Sequence, residues 1–181
     1  MPRISDSRIL ILATDGFEDS ELLEPRRRLI EAGAHVVLAA PEAREIEGDK
    51  GKRVAADTRI DAVRAEDFDA LLLPGGTKNP DKLRIIPEAV GLVRAFMAAD
   101  KPVGAICHGP WLLVEADVVE GRTVTGWPSV RTDLKNAGAE VVDREAVVDG
   151  NLVTSRKPED IPAFTGAFIS LVERAEVGEP A

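Results

Sequence analysis

One pattern recurs along most of this chain: a short, uninterrupted apolar run followed by a stretch with helical periodicity. Arg8–Ala13, His35–Ala40, Ala70–Leu73 and Pro102–Ile106 are such runs. A strand without polar alternation must be covered on both faces, which is the condition of a strand inside a parallel sheet. Helix-like stretches follow at about Asp19–Ala32, Pro87–Ala99 and Gly109–Ala116. Strands alternating with helices predict an open, mostly parallel α/β sheet with right-handed crossovers and helices on both faces. The 181 residues suit one domain, enough to bury roughly 70% of the surface of the unfolded chain.

Local signals refine this outline. In the first helix Leu22, Leu29 and Ile30 share a face, Gly33 ends it, and Pro25 either kinks it or marks its true start. Residues 44–60 are polar and contain glycine, which predicts short antiparallel pieces. Beyond the fourth run come a short strand (Arg122–Thr125), a helix (Val130–Ala137) and a hairpin. In the hairpin Ala146–Val148 and Leu152–Thr154 flank Asp149-Gly150, a tight-turn pair. A last helix spans about Glu159–Glu173, and the tail Glu176–Ala181 is expected to fray.

Composition excludes several classes of function. A net charge of −9 argues against a nucleic-acid backbone as partner. Arg26-Arg27-Arg28 lies in a helical pattern and reads as a solvated or subunit-contact face. The apolar runs are too short to span a bilayer, and Met1–Asp6 lacks an apolar signal core, so a cytoplasmic location with no membrane partner is expected. A lone cysteine fits a reducing compartment. Two histidines and one cysteine are a poor stock for zinc, and no metal or cofactor is predicted.

That cysteine, Cys107, follows the fourth run in Val103-Gly104-Ala105-Ile106-Cys107-His108-Gly109-Pro110. Small residues two before and two after it suit a sharp strand-to-helix turn that raises one side chain at the sheet edge. The amino end of a helix there favours a thiolate, so Cys107 reads as a nucleophile ionised near neutrality rather than a buried inert thiol. Ligand sites in open α/β sheets form beyond the carboxyl ends of strands. Two more features lie past such ends: Asp15-Gly16-Phe17-Glu18 and Gly75-Gly76. The N–H groups of Gly75, Gly76 and His108 can bind a developing oxyanion, although Gly75-Gly76 is also a plain turn signal. Glu18 is either a surface carboxylate or a protonated neighbour that donates to the thiolate and lowers its pKa. His108 is either a helix-start histidine or a base that needs a partner to fix its tautomer.

Four segments carry a resemblance. They are Ala105–Pro110, Leu73–Gly76, Gly16–Leu22, and Asp143–Glu145 through Val148–Asn151 to Thr154–Arg156. From about Arg8 to Glu173 the chain resembles the ThiJ/PfpI superfamily, nearest to its PfpI intracellular protease branch. The resemblance implies a flavodoxin-like three-layer sandwich of the class I glutamine-amidotransferase-like type. It implies Cys107 as nucleophile, Glu18 as the carboxyl that contacts it, and Gly75, Gly76 and His108 around it. It also implies homodimers or larger rings in which a neighbouring subunit's carboxylate orients the histidine. Asp81 matches that position, but the protease has glutamate there and this loop is one residue longer. Asp81 also reads as a helix-start aspartate. Glutamine amidotransferases need a second histidine late in the chain, and none follows His108.

The functional expectation is a cysteine-dependent hydrolase of PfpI type acting on a carbonyl centre, in a stress response. Its substrate is a peptide, a glycated protein or a small carbonyl compound such as methylglyoxal. Trp111, Trp127 and Phe17 are the candidate pocket walls. The alternative is a non-catalytic stress protein or chaperone in which Cys107 is a redox-sensitive thiol.

Overall fold

The computed structural model describes residues 4–178; the first three residues and the last three of the expected frayed tail lie outside the described residues. In chain order the elements are β1 (Arg8–Leu12), α1 (Asp19–Glu31), β2 (His35–Ala40), β3 (Glu45–Glu47), β4 (Arg53–Ala55), β5 (Thr58–Arg59), β6 (Ala70–Leu73), α2 (Lys78–Leu83) and α3 (Pro87–Ala98). They continue with β7 (Val103–Ile106), α4 (Trp111–Glu115), β8 (Thr123–Val124), α5 (Arg131–Asn136), β9 (Glu140–Val141), β10 (Val147–Asp149), β11 (Leu152–Ser155) and α6 (Ile161–Glu176).

Seven strands form the main sheet in the order β10-β11-β7-β6-β1-β2-β5. All its pairings are parallel except the β10–β11 hairpin, which turns at Gly150 with φ +57°. The apolar runs are continuous because alternate residues enter two separate cores. Leu10, Leu12, Leu71, Leu73, Val103 and Ala105 face α3, α4 and α5. Ile9, Ile11, Ala70, Leu72, Ile106 and Val153 face α1 and α6, where Phe164 and Phe168 are fully buried. The result is the expected flavodoxin-like sandwich. From β1 the chain runs outward to β2, then returns to place β6 on the other flank of β1. That reversal opens a crevice beyond the carboxyl ends of β1 and β6, with β7 alongside.

Several local expectations change. Pro25 lies within α1, so it does not mark the helix start; its missing N–H leaves the Glu21 carbonyl without its helical donor. Ile30 is exposed rather than buried with Leu22 and Leu29. Of the segment 44–60, β3 and β4 form the expected antiparallel pair, but β5 joins the main sheet parallel to β2. Helix α2 has six residues including Pro80, too few to show a helical periodicity in the sequence. Strand β8 pairs with β9 in a small parallel sheet, a pairing that two-residue strands cannot announce. No helix among the described residues is long and apolar enough to cross a membrane.

Gly104 of β7 sits under the α6 aromatics: a Cβ there would lie 2.9 Å from Phe168 and 3.0 Å from Phe164. Because both rings are fully buried, Gly104→Val is expected to cost about 1–3 kcal/mol through overpacking. Urea denaturation with an unchanged slope and a lower midpoint would show this; a midpoint at or above the parent's would show that the rings yield freely.

Candidate active site

The strand-to-helix turn at Cys107 is strained. Its φ is +65°, a conformation that a residue with a Cβ rarely adopts. Backbone bonds hold it from both sides. The Cys107 N–H donates to the Ser155 carbonyl at 3.0 Å, and the Cys107 carbonyl accepts from the Trp127 N–H at 2.9 Å. Gly109 closes the turn onto Ile106 at 2.8 Å, where a Cβ would meet the Leu73 carbonyl at 2.5 Å.

The β6 exit approaches as closely. A Cβ on Gly75 would stand 2.7 Å from the Cys107 Cβ and 2.4 Å from Glu21 Oε1; one on Gly76, at φ +80°, would stand 2.2 Å from the Gly16 carbonyl. The double glycine is therefore what lets three strand exits converge. Its two N–H groups have different tasks. Gly75 donates to Glu21 Oε1 at 2.9 Å, so it is not available to an oxyanion as expected. The N–H groups of Gly76 and His108 face the Cys107 sulfur.

The carboxyl against the thiol is Glu21, not Glu18. Glu18 is the N-cap of α1, and its Oε2 accepts the Glu21 N–H at 2.9 Å, which turns it back onto its own helix. Ser20 Oγ and Lys50 Nζ also donate to Glu18, which lines the pocket wall without contacting the thiol. Three residues on, in the first turn, Glu21 points inward with no exposure; its Oε1 holds Gly75 and its carboxyl meets the Cys107 thiol. The segment carrying Lys50 is clipped down by Asp19, which accepts the Lys50 and Lys52 N–H groups at 3.2 and 3.0 Å.

Electrostatics follow from this burial. Burial, reinforced by the nearby Glu18 charge, pushes Glu21 up to about 8, so Glu21 is mostly protonated at neutral pH. Burial also pushes Glu18 up, but its bonds from Lys50, Ser20 and the Glu21 N–H together hold it below the usual carboxylate range. The Cys107 thiol, 6% exposed, is pushed up by burial first and by Glu21 charge second, while the N–H groups of His108 and Gly76 pull it back. The thiolate expected near neutrality is thus a protonated thiol in this chain. Helix α4 offers little opposing field: it starts only at Trp111 and has five residues. Burial lowers His108, so its ring is neutral at pH 7.

His108 Nδ1 lies 3.3 Å from the Cys107 sulfur, and its Nε2 lies 3.2 Å from Ser129 Oγ. Trp111 meets the ring edge-on and Trp127 stacks on it, with centroids 5.0 and 6.0 Å away. Trp111 is itself held by a 2.9 Å bond to Asp133 and by Arg84 over its face. These groups line a cavity of about 490 Å³ with Thr77, Lys50 and Pro158. Pro158 begins the short turn that ends in Asp160, a buried carboxylate that takes three bonds from Arg156. A second cavity of about 700 Å³ adjoins across Asp49 and Thr77. Phe17, a candidate wall residue, is instead fully buried in the α1–α6 core. Asp81 is exposed in the first turn of α2 and makes no bond to His108 within the chain.

Glu21 and Ser129 were not singled out from sequence. Glu18 and Glu21 have the spacing of a helix N-cap and its third residue, a signal of the helix start that does not say which carboxyl faces the thiol.

Glu21 should couple stability to pH. Unfolded, its carboxyl ionises near 4.5; folded, it keeps its proton to about 8. Between those values the folded state binds more protons, so this group's contribution falls as pH rises. Relative to the parent, Glu21→Gln should gain on the order of a few kcal/mol from pH 5 to pH 8 in denaturant titrations. A stability difference flat across that window would show that Glu21 is ionised throughout.

Residues 7–171 match the DJ-1/PfpI family model. The chain is 46% identical over 170 residues to general stress protein 18 of Bacillus subtilis, covering 92% of this chain and 98% of that one. It is 43% identical over 166 residues to the deglycase PfpI of Pyrococcus furiosus, covering 92% and 99%. Among solved structures it is similar to a two-domain protein of Anabaena variabilis with DJ-1/ThiJ/PfpI-like and ferritin-like domains, at a TM-score of 0.89 and 38% identity. The match covers 91% of this chain and 48% of that longer one. Matched by the family model over residues 7–171 and by relatives and a solved structure over about nine-tenths of its length, the chain belongs to the DJ-1/PfpI family.

Proposed function

We propose that this protein is a cysteine-dependent enzyme acting at carbonyl centres, of the deglycase and glyoxalase kind, that protects amines against reactive dicarbonyl compounds. One observation carries the reading. A thiol on a strained turn, at the base of an open cavity, has a neutral imidazole 3.3 Å away and two uncommitted backbone N–H groups beside it.

The chemistry follows from those contacts. The thiol proton passes to His108 Nδ1 as the sulfur bonds to the carbonyl carbon. The carbonyl π electrons move onto oxygen, where the N–H groups of Gly76 and His108 hold the charge until the proton returns to it. The product of this step is a hemithioacetal, and no oxidant or reductant is consumed. Each such donor is typically worth about 3 kcal/mol of the barrier. Glu21 is protonated at neutral pH and so places no charge against a sulfur turning anionic. The adjoining 700 Å³ cavity leaves room for the amine-bearing carrier of a dicarbonyl adduct. Relatives named deglycases support the same reading. A thiol raised by burial is a poor target for peroxide, which weighs against the redox-sensor alternative.

The test is turnover of methylglyoxal, of methylglyoxal-modified acetyl-arginine and of an unmodified peptide. Cys107→Ser is expected to lower the first two by about 10³-fold or more. Activity surviving that change would remove the thiol mechanism, and turnover of the peptide alone would replace the deglycase reading with a peptidase. The pH profile gives an independent check. Activity should fall above about pH 8 as Glu21 ionises, and that limb should disappear in Glu21→Gln. A limb unchanged in the variant would assign it to another group.

A further inference from the structure

We propose that Ser129 is the positioning residue of this site: its hydroxyl oxygen accepts the Nε2–H of His108, which leaves Nδ1 bare toward the Cys107 thiol. The catalytic consequence rests on the reading of Cys107 given above; the tautomer does not.

Among the described residues the imidazole has two polar neighbours, Cys107 Sγ at 3.3 Å and Ser129 Oγ at 3.2 Å, on opposite ring nitrogens. The tryptophans against its edge and face limit ring rotation, so each nitrogen keeps its partner. A neutral imidazole carries one proton, and a thiol that still holds its own donates it toward the ring. Nδ1 is then the acceptor, the ring proton sits on Nε2, and the group facing it must accept. A serine hydroxyl can accept and still donate its own hydrogen to water, because Ser129 is exposed on its outer side.

The placement of Ser129 is tied to the strained turn itself. Trp127 donates its N–H to the Cys107 carbonyl at 2.9 Å, and Val130 donates to the Trp127 carbonyl at 2.9 Å, closing the short turn Pro128–Val130 that carries Ser129. The distance between hydroxyl and ring is therefore fixed by backbone bonds that start at the cysteine. Asp81 stands exposed on α2 with no such tether to the ring.

The chain has only two histidines, His35 and His108, and His35 is exposed. Full-length protein labelled with 15N-histidine can be read by two-dimensional long-range 15N–1H spectra, with His35→Gln to assign the signals. The parent should show His108 as the Nε2–H tautomer at neutral pH. Ser129→Ala should shift it to a mixture and lower kcat for the dicarbonyl substrate about 10-fold, the low end of the loss when a hydrogen-bond partner that orients a histidine is removed, with KM within about 2-fold. Ser129→Thr, which keeps the hydroxyl, should restore both. Asp81→Ala should change neither. An unaltered tautomer in Ser129→Ala, or a tautomer shifted by Asp81→Ala instead, would overturn the proposal. Should the parent turn over no dicarbonyl while the tautomer shifts as expected, the functional reading fails and the role of Ser129 in orienting His108 stands.

Discussion

The convergence of three chain crossings at the carboxyl edge of the sheet is what the rest of the site depends on. The turns after β1, β6 and β7 approach within distances that no side chain tolerates: every Cβ added to Gly75, Gly76 or Gly109 would fall under 3.0 Å from a neighbouring atom. The strain at Cys107 is held by backbone bonds to the Ser155 carbonyl and from the Trp127 N–H, on segments packed at either side. Strain of this kind persists only where surrounding structure over-determines it. Here that structure is the central strand β7, flanked by β6 and β11 and buried on both faces. The stability of the sheet is spent, in effect, on keeping one sulfur in one place.

Within that frame, protons rather than fixed charges set the character of the site. Glu21, the Cys107 thiol and His108 are all nearly out of reach of water, and burial disfavours the charged form of each. All three are therefore neutral at pH 7 in the resting protein. Charge is kept one layer outward, where Glu18 is ionised and matched by Lys50 at the pocket rim. A neutral site can accept an uncharged carbonyl compound without first displacing a bound ion. In the proposed reaction charge develops only as the sulfur attacks, close to the two amides beside it. The same pattern explains why a helix dipole is not needed, and why the short α4 suffices.

Family membership and the detailed site meet at a point of difference. The resemblance points to a carboxylate from a neighbouring subunit as the histidine's partner, and the residue at that position here, Asp81, is exposed on α2 and unconnected to the ring in one chain. Within the chain, the group that faces Nε2 is a hydroxyl from a turn tied to the cysteine. Orientation of a base by a nearby turn and orientation by a neighbouring copy are different solutions to the same requirement, that one nitrogen be left free.

Local chemistry made much of this legible in the sequence. Unbroken apolar runs require cover on both faces, so the parallel sheet, its central strands and its layers followed directly. Crowding around a tight turn requires small residues, so the cysteine and the double glycine stood out before any coordinates. What the tertiary structure decided depends on direction and distance between segments far apart in the chain. Glu18 and Glu21 are both carboxylates at one helix start, and only the helix's entry angle settles that the first caps and the second reaches the thiol. Ser129 is an ordinary loop serine until the turn from Trp127 brings it to the ring. The protonation state of the thiol is likewise tertiary: composition supplies the acid, but burial, which belongs to the packed molecule, decides where its proton stays.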